Sequence, residues 1–232
     1  MEAQLLILTA AGIAFLHTVL GPDHYLVFTA LGKARGWTLR KTLTVTALCG
    51  LGHIAGSILL GIVGLLLGSQ LATLVGIEGV RGDLASWALM AFGLCYLAWG
   101  LRQAGRKHTH SHVHSHGDLV HSHPHDHQLD HAHVHDEKST ITPWALFIIF
   151  VLGPCEALIP LFMYPAAESS TVLVFAVATV FGVVTLLTML AGVVLTSLAL
   201  SPLRWRGAER YGHAIAGGSI AACAAGMTFL GL

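Results

Sequence analysis

Ionisable side chains recur in this sequence inside stretches that are otherwise apolar. His17, Asp23 and His24 lie in the first such stretch, His53 in the next, and Cys155 and Glu156 in the fourth. An ionisable group deep in a bilayer costs at least a few kcal/mol, so such residues are candidates for function by position alone. Imidazole, carboxylate and thiolate together make a ligand set for a first-row transition metal, and the imidazoles argue against calcium or magnesium. Nickel, cobalt and zinc all fit. The candidate metal ligands are therefore His17, Asp23, His24, His53, Cys155 and Glu156, with Thr185 and Thr188 weaker because threonine often bonds back to its own helix. The alternative is structural: Asp23 and His24 as a buried ion pair, Glu156 as the cap of a half-helix.

A second population of histidines lies apart from these. Residues 108–135, HTHSHVHSHGDLVHSHPHDHQLDHAHVH, hold twelve of the sixteen histidines, mostly at alternate positions: His108, His110, His112, His114, His116, His121, His123, His125, His127, His131, His133 and His135. Their few scattered apolar residues cannot form a core, so the tract is expected to be disordered without metal. Neutral imidazoles bind zinc, nickel and copper, and an array of them can collect several ions at modest affinity per site. Loading should weaken below about pH 6 as the imidazoles protonate.

The elements that must position these groups follow from composition. Of 232 residues, 54% are apolar and only 10% are Asp, Glu, Lys or Arg, and the mean hydropathy is +0.71. Soluble domains carry about 25% charged residues, so the apolar runs of this chain must face lipid. The 12 basic and 12 acidic residues cancel, and without a basic excess nucleic-acid binding is excluded as a main function. Cys49, Cys95, Cys155 and Cys223 lie in apolar runs without CxxC spacing, which speaks against a disulfide framework. The N-terminus, MEAQLLILTAAG, lacks the basic region of a cleaved signal and reads as the start of the first span.

A bilayer core of roughly 30 Å needs about 20 apolar helical residues. Six stretches qualify: about 4–31, 42–68, 84–101, 144–165, 171–199 and 211–231. Gly21-Pro22 and Gly153-Pro154 interrupt the first and the fourth near mid-membrane. Residues 19–27, VLGPDHYLV, align without gaps with 151–159, VLGPCEALI, and the same offset sets Gly50 on Gly182 and His53 on Thr185. Three spans per repeat is an odd number, so the halves must be oppositely oriented, as in many secondary transporters. The expected fold is thus an all-α polytopic membrane protein of six transmembrane helices, arranged as a three-plus-three inverted repeat with broken first and fourth helices. Its parts are a first three-helix repeat at 1–101, a His-rich loop at 102–141 and a second repeat at 142–232.

Orientation follows from Lys and Arg. Eleven of the twelve lie in the loop after the first span, in the long insert and in the last loop, against Arg81 alone on the other side. The positive-inside rule then makes the His-rich loop cytoplasmic and puts both termini outside. Trp37, Trp99, Trp144 and Trp205 fall at the same cytoplasmic edge.

These residues resemble a family. His17-Thr-Val-Leu-Gly-Pro-Asp23-His24 is similar to the His-(x)4-Asp-His signature of the nickel/cobalt transporter family, and Leu51-Gly52-His53 to that family's LGH motif in the following span. The His-rich insert between two three-span halves is similar to the nickel/cobalt efflux members, and the short six-span form to their urease-accessory, UreH-like relatives. The spacer before Asp23 has five residues where the family signature has four, which on a continuous helix would turn His17 by about 100°. The Gly-Pro-Cys155-Glu156 element resembles the broken-helix Pro-Cys motif of membrane thiol-electron carriers related to the cytochrome c biogenesis protein CcdA, but Asp23 stands where their second cysteine would be.

The expected function is secondary transport of a divalent transition metal, nickel or cobalt first and zinc second, across the inner membrane. The metal is the substrate; no organic cofactor and no enzymatic activity are expected. The expected partners are metal ions, the lipid bilayer and a cytoplasmic metallochaperone. No GxxxxGK[ST] occurs, so ATP hydrolysis through a P-loop is not expected. A thiol-disulfide relay, an oxyanion exporter and a metal store or sensor are the alternatives.

Overall fold

In the computed structural model the described residues are 2–66, 71–105, 110–116, 119–125, 141–153, 155, 157–167, 170–201 and 209–230. The chain runs through α1 (Glu2–Leu20), a 3-10 turn (Pro22–His24), α2 (Leu26–Ala34), α3 (Leu39–Leu66) and α4 (Leu71–Gly105). It continues through strands β1 (His110–His116) and β2 (Leu119–His125), then α5 (Ile141–Leu152), α6 (Leu158–Ala167), α7 (Thr171–Leu200), a 3-10 turn (Glu209–Tyr211) and α8 (Gly212–Leu230). Among the described residues, five helices are long and apolar enough to cross a membrane: α1, α3, α4, α7 and α8. Leu8, Leu66, Val172, Leu187 and Leu195 are 61% to 82% exposed, an apolar surface that water would not tolerate and lipid solvates. The chain is a helical, polytopic membrane protein.

Both interruptions expected from the sequence are present. Proline lacks the amide that would continue a helix, and its ring clashes with the carbonyl four residues earlier. α1 accordingly stops at Leu20, Pro22 opens the 3-10 turn, and the chain re-enters a helix at Leu26. In the second half α5 ends at Leu152 and α6 begins at Leu158; Pro154 and Glu156 lie outside the described residues. The stretch expected as the fourth span is therefore two short helices of 12 and 10 residues.

Two expectations need correction. The third span does not begin at 84: α4 is a 35-residue helix that starts at Leu71. Glu78 and Arg81 made that stretch read as a loop, yet opposite charges at i and i+3 share a helix face and neutralise each other. The His-rich tract was expected to be disordered, but β1 and β2 pair antiparallel, with His110 opposite His125, His112 opposite His123 and His114 opposite His121. Its alternation has the period of a strand, and ladder hydrogen bonds satisfy the backbone without a buried core. His108, His127, His131, His133 and His135 lie outside the described residues.

Apolar burial does not drive helix association in lipid, where close backbone approach matters more. α8 packs along α4 more extensively than any other helix pair. A Cβ added at Gly93 would lie 2.5 Å from the Ala221 nitrogen, and one at Gly100 2.4 Å from that of Ala214. Two buried apolar clusters fill the bundle. One gathers Phe28, Cys49, Phe150, Met189 and Ile220, the other Ala10, Ala14, Cys155, Leu158 and Phe181. The candidate ligands fall where the clusters meet: His17 three residues beyond Ala14, His24 one turn before Phe28, His53 one turn beyond Cys49.

Candidate metal centre

The 3-10 turn at Pro22 determines how the first half presents its imidazoles. On an unbroken helix the five-residue spacer would turn His17 away from Asp23. The rotation is interrupted at Gly21, and the His17 and His24 rings lie edge to face with centroids 5.1 Å apart. From α3, His53 meets His24 at 5.4 Å, again edge to face. Three imidazoles thus stand together inside the bundle.

Their hydrogen bonds define which ring nitrogens are available. His53 Nδ1 lies 3.2 Å from the Phe150 carbonyl; a carbonyl carries no proton, so the ring nitrogen donates. His24 Nδ1 lies 3.1 Å from both the Gly21 carbonyl and Asp23 Oδ1, both acceptors, so it donates too. In neutral rings of this tautomer Nε2 carries the lone pair. The Nε2 atoms of His17, His24 and His53 are all buried with no hydrogen-bond partner among the described residues. A buried polar atom without a partner is costly. Three in one place make a set of donors that could hold a metal ion.

Cys155 completes the group. It lies in the break between α5 and α6, is fully buried, and its Sγ and one ring nitrogen each of His17 and His53, though not of His24, lie within 4.8 Å of one another. An ion held about 2.0 Å from nitrogen and 2.3 Å from sulfur would draw such atoms to roughly 3.5 Å apart in a tetrahedral site. A contraction of that size is within the reach of side-chain rotation.

Asp23 is placed differently from the imidazoles. Its carboxylate holds the Nδ1 side of His24, the carboxylate-histidine arrangement that orients a metal-binding imidazole from behind. Glu156 lies outside the described residues. Thr185 departs from the habit that made it a weak candidate: Thr18, Thr29, Thr46 and Thr196 bond back to carbonyls of their own helices, whereas the fully buried Thr185 hydroxyl has no partner among the described residues. It interrupts the buried stripe of α7 between Phe181 and Met189, at the junction of the two clusters. Ser57, one turn beyond His53, carries a second buried, unpaired hydroxyl.

Sequence reasoning missed Glu78 and misplaced Arg81. Glu78 is fully buried and paired with Arg81 one turn on, and Arg81 is turned inward to the end of α5 rather than standing in an outer loop. The signal was an acid and a base at i and i+3 in an apolar run. His213, unassigned by its sequence position, accepts or donates at 2.8 Å with the Tyr96 hydroxyl and packs on Trp99, away from the imidazole cluster.

Glycine is required beside His24. A Cβ on Gly21 would lie 2.5 Å from His24 Nδ1 and 2.9 Å from Asp23 Oδ1. Gly21→Ala should therefore displace the His24 ring and weaken nickel binding by about 10- to 100-fold, while overpacking costs only about 1–3 kcal/mol of stability. Isothermal titration and a thermal melt of the detergent-solubilised protein separate the two effects.

Comparison with protein-family models, with curated proteins and with solved structures finds no match to this chain.

Proposed function

We propose that the chain is a secondary transporter that carries divalent transition-metal ions, nickel or cobalt first and zinc second, through the imidazole-thiol centre in its core. The observation that carries this reading is the set of three buried, unpaired Nε2 atoms of His17, His24 and His53, two of whose residues, His17 and His53, gather with the Cys155 thiol. Imidazole nitrogen with one sulfur suits borderline metals and leaves hard cations poorly served. His17, His24, His53 and Cys155 bind the ion, Asp23 orients His24, and Glu156 is a further ligand from the second broken helix. The motifs around His17–His24 and His53 that resemble the nickel/cobalt transporter family agree with this assignment.

A three-plus-three inverted repeat suits the packing. α1 packs on α7 as α5 packs on α3, α2 on α8 as α6 on α4, and α3 and α4 each pack on their own counterparts, α7 and α8. That is the pattern a pseudo-twofold axis generates, with the broken helices meeting near it. Rocking of one half against the other would then expose the site to either side in turn. The groups that bind metal must first lose protons and regain them on release, which makes protons the natural coupling ion. The excess of Lys and Arg beside the His-rich insert supports a cytoplasmic insert in an inner-membrane protein. There the register of β1 and β2, which sets histidine opposite histidine, suits a collector that feeds or drains the core site, alone or with a metallochaperone.

Flux of nickel, cobalt and zinc into and out of proteoliposomes tests this function. Movement of at least one of these metals, abolished by Asp23→Ala together with His24→Ala, is expected. Protein-free rates for all three would refute it.

A further inference from the structure

The buried ion pair on α4 is not used by the imidazole cluster, yet it makes three hydrogen bonds to the chain around the second break. Arg81 Nη2 donates to the carbonyls of Val151 at 2.9 Å and Gly153 at 3.3 Å, at the open end of α5. Its Nη1 pairs with Glu78 Oε1. The other carboxylate oxygen, Glu78 Oε2, accepts the backbone N–H of Cys155 at 3.2 Å. The cation therefore sits on carbonyls at the C-terminal end of α5, whose partial charge it complements, and the anion accepts a backbone amide within the break. Space for the guanidinium is left by a glycine: a Cβ on Gly56 would lie 2.9 Å from the Val151 oxygen and 3.0 Å from Arg81 Nη2.

Among the described residues the break at 21–24 has no such bond from another helix, although α2 further on bonds to α7 through Thr29 and Thr196. The main chain at this break closes locally, through Gly21 N–H to the His17 carbonyl at 3.0 Å and His24 N–H to the Gly21 carbonyl at 3.1 Å. Among the described residues Cys155 has one comparable local bond, its carbonyl accepting Leu158 N–H at 2.8 Å.

We propose that Glu78 and Arg81 are positioning residues that staple α4 across the break in the fourth span and thereby hold the Cys155 thiol against His17 and His53. The role as a metal ligand rests on the function proposed above; the placement of the thiol does not. Neither residue touches the ion. Together they decide whether sulfur belongs to its coordination shell, and so how well the site holds sulfur-seeking metals relative to those satisfied by nitrogen and oxygen.

The test uses the full chain in detergent with Cys49, Cys95 and Cys223 replaced by serine, so that Cys155 is the one thiol. Its rate of alkylation by N-ethylmaleimide is measured without metal, and the thiolate-to-metal charge-transfer band is measured with cobalt(II). In Glu78→Arg/Arg81→Glu the pair remains neutral overall, but the staple is reversed against both helix ends. Alkylation should accelerate by at least about tenfold, and the sulfur band should vanish while the ligand-field bands of the imidazole-bound ion persist. Arg81→Lys should restore most of both. Should the reversed pair prevent folding, Glu78→Gln, which keeps size and an acceptor but strips Arg81 of its counter-ion, should show the same changes in smaller measure. Unchanged alkylation and an intact sulfur band in a folded variant would overturn the proposal. Absence of the band in the parent protein would instead remove Cys155 from the metal site, and the alkylation rates would still decide whether the staple holds.

Discussion

Replacing His53 by alanine is expected to reduce nickel transport to the protein-free rate and to weaken binding by more than about 100-fold, beyond the 10- to 100-fold typical of losing an outer-shell partner. The ring supplies one of the three unpaired Nε2 atoms and lies edge to face with His24. Its Nδ1 satisfies the Phe150 carbonyl near the end of α5, so it also ties the second span to the second broken helix. Asp23→Ala supplies the graded comparison. It removes only the carboxylate behind His24 and should fall within the 10- to 100-fold range, with the ion still bound. Equal losses in the two variants, measured by equilibrium binding, would show that Asp23 is itself a ligand.

Gly217→Leu should have the largest effect on stability. A Cβ at this position would lie 2.3 Å from the Leu97 nitrogen, 2.7 Å from its Cα and 2.8 Å from the Gly93 oxygen. These are backbone atoms of α4, which cannot yield as a flexible side chain would, so α4 and α8 must separate. Overpacking of a core costs about 1–3 kcal/mol when side chains can adjust, and a backbone collision along the principal helix contact should exceed that. The expected result is a melting temperature lowered by several degrees or more in detergent, or failure to insert. Gly12→Ala is the control: nothing lies within 4 Å of the added Cβ, and its melt should match the parent.

How much of this was legible in the sequence depended on the range of the interaction. The breaks at Gly21-Pro22 and near Gly153 were readable because proline acts on its own backbone. The membrane class was readable because an apolar run of helical length has few other solutions. His17 was harder: its spacing to Asp23 argues against a shared face on a continuous helix, and only the break between them removes the conflict. Glu78 was invisible as a functional residue, because its worth comes from the Cys155 amide and the Arg81 guanidinium, the first of which is 77 positions away. Thr185 was discounted on a local habit of threonine that Thr18, Thr29, Thr46 and Thr196 follow and this one does not. The alternating histidines were read as disordered for want of a core, while their period of two, the period of a strand, was on the page.

The central claim is that a metal ion binds among His17, His24, His53 and Cys155, and one measurement addresses it most directly. The protein with residues 108–135 deleted, so that the collecting tract contributes no sites, is loaded with nickel, and X-ray absorption reports stoichiometry and first-shell atoms together. The account predicts one ion per chain, bound by imidazole nitrogen and one sulfur, with the sulfur lost in Cys155→Ser and the ion lost in His53→Ala. A deleted protein that binds no metal, or one whose ion is unaffected by His53→Ala, would contradict it.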